Sequence, residues 1–462
     1  MKLLRAFLSI SSELQGLFPQ ARSGCRAQRL CLSTLLCLGR KWITGLIGAA
    51  NREQRDWSAD YKLFSRCRWQ NQQLFIPVLC RGLQHLNSHE PIVVAGDETK
   101  TPRAGRRVRR STWLRDPLSP PFHVNLMRGI RWVQFAMILP LHRRHKVSAR
   151  SIPVSFEPID IPRKPRKSAP TQEHEAYRKA RRLNNMSRQS VRQLQTLRRL
   201  YDQAGASARL LLAVLDGGFC NRTVFQAKLD RTARLARCRK DAKLCFPAHD
   251  PQHPHRRYTL KKFTPEQVRQ DATIPWQKKS FFLGGRKRPV RFKQITGVLW
   301  QRGSGLLPLR LIVIAPIPYR LSAHAPLDYR QPAYLLTDEL SLSVEFLLQA
   351  YLDRWQIEVN HRDEKQHLGI ADAQVWNDQS VDHVPAFMVA AYAFLLLASL
   401  DAYGAKRTED YIQPPKWQRR RTRPSCQDLL RQFRKEAFAH PHALQSLEIL
   451  LSPEAAVQKP AA

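Results

Sequence analysis

The sequence predicts an α/β protein in which a mixed sheet is flanked by helices. Three observations carry this reading. Ile92-Val93-Val94-Ala95-Gly96 and Leu210-Leu211-Leu212-Ala213-Val214-Leu215 are short, wholly apolar runs of strand length, each closing on an acid, Asp97 and Asp216. Helical periodicity fills most of residues 1–88 and 172–204 on either side of the first run. β-like runs at 290–300, 309–317 and 333–337 then precede a stretch, Tyr351 to Lys365, that has neither Pro nor Gly and reads as a helix.

Composition bounds the partners. With 462 residues the chain is long enough for two or three domains. Its 77 Lys+Arg against 37 Asp+Glu give a formal charge of +40. Arg outnumbers Lys, and the guanidinium fork suits bidentate contact with phosphate. Such an excess predicts a polyanionic partner, most simply DNA or RNA, with an anionic membrane surface as the competitor. The nine cysteines are scattered, odd in number and without a CxxC pair, which argues against a disulfide framework and a structural zinc site and for reduced thiols in a cytosolic protein.

Taken in order, residues 1–88 form a helical N-terminal domain. It opens on an amphipathic rather than a signal-like segment and carries interspersed Arg and Lys. It reads equally as a DNA-binding domain or as a helical cap on the next domain. Residues 89–246 open a sheet: the strand ending at Asp97, the basic loop Lys100 to Arg110, then strands at 122–126 and 132–139 with a turn at Gly129 between them. Five prolines among Lys and Arg make 140–170 a basic extended loop, followed by a long charged helix over 172–204. After the strand ending at Asp216, Gly217-Gly218 turn the chain and Asn221 caps a helix from Arg222 to Leu229. Another strand falls within 235–246, beside Arg237, Arg239, Lys240 and Lys243.

Residues 247–335 are a β-rich insertion, and Ser341 or Ser343 starts the helix of Tyr351–Lys365 in a segment spanning 336–404. Ala386 to Leu400 is an apolar run of about 15 residues, shorter than the roughly 20 of a membrane span, and reads as a buried core helix. A basic segment, 405–462, holds Lys416, Arg419, Arg420, Arg421 and Arg423, a last helix from Cys426 to Ala437, and a tail from Pro453 without order.

On a continuous helix, Tyr351, Arg354, Glu358 and Lys365 fall within an arc of about 60°, a carboxylate flanked by two cations and a phenol. Leu352, Trp355 and Val359 lie to one side and would bury the helix. The same spacing also describes an ordinary solvated face with i,i+4 pairing. Asp97, Asp216 and Glu358 together give three carboxylates of the kind hard cations bind. Neighbouring acids compete for the part: Glu98 adjoins Asp97, whereas Asp353, Asp363 and Glu364 turn away from Glu358 on a helix. His361 and His367 read as phosphate-side or surface residues.

In this order of strand-Asp, strand-Asp, β-rich insertion and Tyr-x2-Arg-x3-Glu-x6-Lys, the chain resembles the DDE transposases of bacterial insertion sequences. Tyr351, Arg354, Glu358 and Lys365 match the Y-R-E-K signature of that group in full, and VVAGDETK and LLAVLDGGF resemble its two acidic motifs. The resemblance covers roughly residues 40 to 402. It implies a ribonuclease-H-like core in which Asp97, Asp216 and Glu358 bind two Mg²⁺ (or Mn²⁺) and are catalytic, with Tyr351, Arg354 and Lys365 contacting DNA phosphates. It implies as well cleavage at transposon ends followed by joining of the 3′-hydroxyls to target DNA. A homodimer on DNA follows from that reaction, and the sequence leads us to expect a cytoplasmic, nucleoid-associated protein with no membrane. A Trp of the insertion stacks on a flipped base in relatives; Trp300 is the candidate for that, but a core position is the favoured reading of it. A metal-dependent nuclease without strand transfer and an inactive basic DNA-binding remnant are the alternatives.

Overall fold

Apolar runs flanked by turn residues become strands, and 3.6-periodic stretches become helices, in a mixed α/β structure with a ten-stranded mixed sheet and flanking helices. The computed structural model describes residues 1–103, 105, 107–116, 119–120, 122–248, 252–253, 255–321, 324–417 and 422–449. The expected basic loop residues Arg419, Arg420 and Arg421 and the tail from Pro453 lie outside the described residues.

Five helices open the chain: α1 (Lys2–Ser12), α2 (Ala21–Leu36), α3 (Ile43–Ala49), α4 (Ser58–Ser65) and α5 (Ile76–Leu83). Strands β1 (Ile92–Pro102), β2 (Thr112–Arg115) and β3 (Leu126–Leu139), the short α6 (His142–His145) and β4 (Arg150–Pro158) follow. Then come α7 (Thr171–Leu183), α8 (Met186–Tyr201), β5 (Leu211–Leu215), α9 (Arg222–Phe225), β6 (Thr232–Arg237) and α10 (Pro265–Gln270). Strands β7 (Gln277–Leu283), β8 (Arg286–Val298), β9 (Leu309–Ile314), β10 (Pro318–Tyr319), β11 (Asp328–Tyr329) and β12 (Ala333–Thr337) lead to α11 (Val344–Asp353), α12 (Gln356–Gln366), α13 (Asp378–Tyr403) and α14 (Cys426–Ala439).

Four expectations are corrected. No turn forms at Gly129: β3 runs straight through it and pairs antiparallel with β2, Thr112 opposite Gly129, while Phe122–Asn125 stay outside any strand. Glycine is needed there because a Cβ would lie 2.5 Å from the Thr101 carbonyl oxygen. The proline-rich stretch is not all loop, because β4 pairs with β3 from Trp132↔Pro158 to Leu139↔Arg150. Its prolines are tolerated because β4 is an edge strand, and Pro153 sits at the bulge between Phe135 and Ala136. The helix of 172–204 is two, α7 and α8, parted at Asn184-Asn185; the Asn185 amide donates to the carbonyls of Arg181 and Arg182 (3.2 and 3.0 Å), closing α7 with a local side-chain bond. The helix of Tyr351–Lys365 is also two, since Arg354 and Trp355 form a turn between α11 and α12.

The chain divides into two compact units. The first holds residues 1–87, 98–185 and 356–462. Its core is α13, flanked by α1, α2, α4, α5, α14 and β4. Asn377 caps α13, accepting from the amides of Gln379 and Ser380 (3.0 and 3.2 Å), and Gly404 ends it at φ 72°. Phe64 meets Phe387 edge-on at 5.2 Å, and Phe7 meets Phe394 at 6.2 Å. With 26 residues, α13 is long and apolar enough to cross a membrane by length and composition, and its most apolar window is wholly buried. The opening helices therefore act at least as the cap that covers this helix. All nine cysteines are unbridged.

The second unit holds residues 88–97 and 186–355. Here β1, β5 and β6 are parallel, with Gly96 beside Leu215 and Leu215 beside Ala236. The strands of the expected insertion extend the same array: β12 lies antiparallel on β6, and β9, β8 and β7 follow in that order. All five β5 residues are buried, which is why this strand is apolar without alternation. Arg234 and Asp338, both about 7% exposed, pair across β6 and the end of β12.

Candidate functional site

Parallel pairing of β1 with β5 places two acids side by side. In the second unit Gly96 and Leu215 are register partners, so Asp97 and Asp216 are the next residues beyond the β1–β5 pairing; Asp216 follows the carboxyl end of β5, whereas β1 continues to Pro102 and Asp97 lies within it rather than at the expected strand end. Crevices at such ends are where open α/β sheets bind ligands. Asp216 is extended (φ −77°, ψ 172°) and its side chain does not cap the Gly217–Phe219 turn; the turn closes instead through its carbonyl, which accepts from the Phe219 amide at 3.0 Å.

Arg354 supplies the cation. Its Nη1 lies 3.7 Å from Asp97 Oδ2 and its Nη2 4.0 Å from Asp216 Oδ1. The Arg354 and Asp97 side chains are only 10% and 18% exposed while Asp216 is 45% exposed, so the cluster is walled on one side and open at Asp216. The approach is held by α11. Ser343 caps that helix, its Oγ accepting from the Phe346 amide at 3.1 Å. Gln349 binds both backbone groups of Phe282 in β7 (2.9 and 3.1 Å), so its amide acts as an extra strand partner for the edge. Arg354 then ends α11 with its own amide on the Ala350 carbonyl.

The choice between Asp97 and Glu98 follows from strand alternation. Glu98 is engaged by Arg131 and by Lys100 at 3.7 Å, both within the first unit, while Asp97 faces Arg354. Tyr351 lies half-buried on α11, and Glu358 and Lys365 are half-buried on α12 of the first unit. The turn at Arg354 and Trp355 means that the four residues do not share one helical stripe. The expected burying face is also different: Trp355 is 51% exposed, beneath the Arg330 guanidinium at 5.7 Å, and Leu352 and Val359 are half-buried. Burial falls instead on Leu347, Leu348 and Ala350 of α11 and on Ile357, Asn360 and Glu364 of α12.

The competing acids have structural occupations. Asp353 accepts from Gln349 at 3.1 Å. Asp363 accepts from the Tyr392 hydroxyl at 3.1 Å. Glu364 is wholly buried and accepts from the Gln134 amide at 2.7 Å; desolvation pushes its carboxyl up to about 8. His361 is buried rather than a surface residue, because α12 turns that side inward. Trp300 is half-buried and packs edge-on against Phe225 at 5.9 Å, the packing role.

Beside Asp216 the second unit opens a pocket of about 680 Å³, lined among others by Arg237, Lys240, Glu266, Arg269 and Tyr334. Arg237 stands at the end of the third parallel strand. Arg269 holds Glu266 at 2.6 Å, and with the Tyr334 hydroxyl it draws that carboxyl down to about 2 despite partial burial. Sequence reasoning missed Glu266, Arg269 and Tyr334. The signal was local: Thr264 and Gln267 form a capping box that fixes α10 and brings Glu266 and Arg269 together at i,i+3.

Asp97 and Asp216 offer the oxygen donors that hard cations take, and a guanidinium already lies against both. Among the described residues no group of three or more His, Cys, Asp or Glu side chains is gathered to hold a metal ion. The arrangement is thus two carboxylates sharing one guanidinium, a group that also suits phosphate. No protein-family model matches the chain, and the comparison with curated proteins finds no relative.

Proposed function

We propose that the protein is a DDE transposase with a ribonuclease-H-like core, cutting DNA at the ends of a mobile element and joining the freed 3′-hydroxyls to target DNA. The observation that carries this reading is the pair Asp97 and Asp216, each just beyond the last register pair of the parallel strands β1 and β5, with Arg354 across both. The net charge of +40 supports a polyanionic substrate.

Asp97 and Asp216 would hold Mg²⁺, with Mn²⁺ as a substitute; the resemblance to DDE transposases implies two such ions and makes Glu358 the third carboxylate. When bound there, the ions supply activation of the attacking oxygen and neutralisation of the leaving one. Arg354 grips a phosphate oxygen beside the scissile bond, from a backbone position held at the end of α11 by its amide's bond to the Ala350 carbonyl. Tyr351 and Lys365 contact flanking phosphates. In the first step a water oxygen bonds to phosphorus, the P–O3′ bond breaks, and the water proton ends on the released 3′-oxygen. In the second, that 3′-hydroxyl attacks a target phosphate; one phosphodiester is formed for one broken, so no energy source is required. Two ends have to be cut and joined, which calls for a homodimer on DNA, acting in the cytoplasm on the nucleoid.

The test uses a supercoiled plasmid carrying the DNA that flanks the coding frame. Wild type is expected to cut it with Mg²⁺ and yield joined products. Asp97→Asn, Asp216→Asn and Glu358→Gln each lose cutting while binding DNA within a few-fold of wild type. Cutting at the wild-type rate removes that residue from the catalytic set, and cutting without joined products makes the protein a nuclease.

A further inference from the structure

We infer that α7 and the segment leading into it, residues 161–183, form a docking arm for the phosphate backbone of double-stranded DNA. The inference rests on the DNA reading above and adds a surface that the Asp97–Asp216–Arg354 cluster does not include.

None of the 13 residues of α7 is buried. A helix of this length standing on its own propensity is marginal in water, and most helices in proteins are held by an apolar face. Here the only relief is half-burial of His174, Tyr177 and Ala180, spaced by three. The rest of the helix faces solvent, and its exposed charge is segregated. Glu173 and Glu175 lie in the first two turns, and Arg178, Lys179, Arg181 and Arg182 in the last two, all exposed. That order favours the helix through its dipole and leaves a block of cations at one end.

The approach segment repeats the pattern in extended form. Arg163, Lys164, Arg166 and Lys167 are exposed, alternating with Pro162 and Pro165, which hold the chain open and keep it from folding onto the surface. Residues 161–183 thus carry eight Lys+Arg against two Glu. Leu183, 55% exposed, is the one large aliphatic residue that α7 presents to solvent. A membrane-surface helix would need an apolar face to insert, and a protein partner an apolar centre; α7 offers neither. A polyanion needs only the cations. At 1.5 Å per residue the helix is about 20 Å long, a length over which duplex DNA presents on the order of ten charges.

The experiment measures binding of the full chain to a fluorescein-labelled 30-base-pair duplex of arbitrary sequence between 50 and 200 mM KCl. The variant carries Arg178→Gln, Lys179→Gln, Arg181→Gln and Arg182→Gln. Because α7 buries no residue, its melting temperature and circular dichroism stay those of wild type. Each lost phosphate contact removes about 0.9 from the slope of log K against log salt, so a fall of about 2–4 and at least a tenfold loss of affinity at 100 mM are expected. A control variant with Lys261→Gln, Lys278→Gln, Arg286→Gln and Lys287→Gln, all exposed and equal in charge, retains more of the slope. An unchanged slope in the α7 variant overturns the arm. So does an equal loss in the control, which would mean that net charge alone attracts DNA. So does loss of binding to phosphatidylserine vesicles with DNA binding intact. If wild type fails to bind the duplex at all, the DNA reading falls too. If wild type binds and the α7 variant binds equally, only the arm falls.

Discussion

Glu364 provides the sharpest test of the packing around α12. It is wholly buried, accepts one bond from Gln134, and its second oxygen has no hydrogen-bond partner. Desolvation, reinforced by the nearby Asp363, outweighs the Gln134 bond and Lys365 and raises its carboxyl from 4.5 to about 8. A carboxyl that holds its proton in the folded protein but loses it in the unfolded chain makes stability fall as pH rises between those two values. At about 1.4 kcal/mol for each pH unit, the upper bound is roughly 5 kcal/mol across the window from 4.5 to about 8. Glu364→Gln keeps the volume and the acceptor for Gln134 but cannot ionise. In urea unfolding, the variant should match wild type near pH 4.5–5 and exceed it by several kcal/mol at pH 8. The readout is the difference between the two stability curves, which cancels other titrating groups such as Glu157, itself raised by burial to about 7. Parallel curves for the two proteins from pH 5 to 8 would refute the reasoning: Glu364 would then be ionised in the fold, or reached by water.

Two further substitutions probe the sheet and the cluster. Gly129→Ala brings a Cβ to 2.5 Å from the Thr101 carbonyl, a backbone atom that cannot swing aside, and should cost about 1–3 kcal/mol; a melting temperature equal to wild type would mean that β1 and β3 are not in contact there. Arg354→Gln removes the cation shared by Asp97 and Asp216 and should cost about 1–3 kcal/mol at low salt, between the values for exposed and buried pairs because Asp216 is 45% exposed. Millimolar MgCl₂ should restore more melting temperature to Arg354→Gln than it adds to wild type, and equal gains would argue that the two carboxylates do not share a cation.

The apolar runs before Asp97 and Asp216 were legible in the sequence because a buried parallel strand must be apolar throughout, and Ile92–Gly96 and Leu210–Leu215 are just that; that β1 carries on through Asp97 to Pro102 was not legible, because polar residues hide a strand that is less buried there. Asn221 as a cap and Ser343 as a helix start were legible for a similar reason: short side chains that accept from the backbone act over three residues and need no distant partner. Gly129 was misread because the sequence cannot tell a glycine needed for a turn from one needed where another backbone passes close by. β4 was hidden by its prolines, which become acceptable only once an edge position and a bulge exist.

Residues 351–365 show the same division. Helical propensity is set locally, so the sequence determined that both halves are helical. The turn at Arg354 and Trp355, the burial of Glu364 and His361, and the exposure of Trp355 beneath Arg330 were decided only by tertiary packing. Spacing along one ideal helix cannot record where the packing of neighbouring elements interrupts it. Charge separates in the same way. The sequence alone determined an excess of +40, but only the fold decided that Arg354 lies against two carboxylates and that the cations of α7 face water, because exposure and pairing belong to positions in space rather than to residue types.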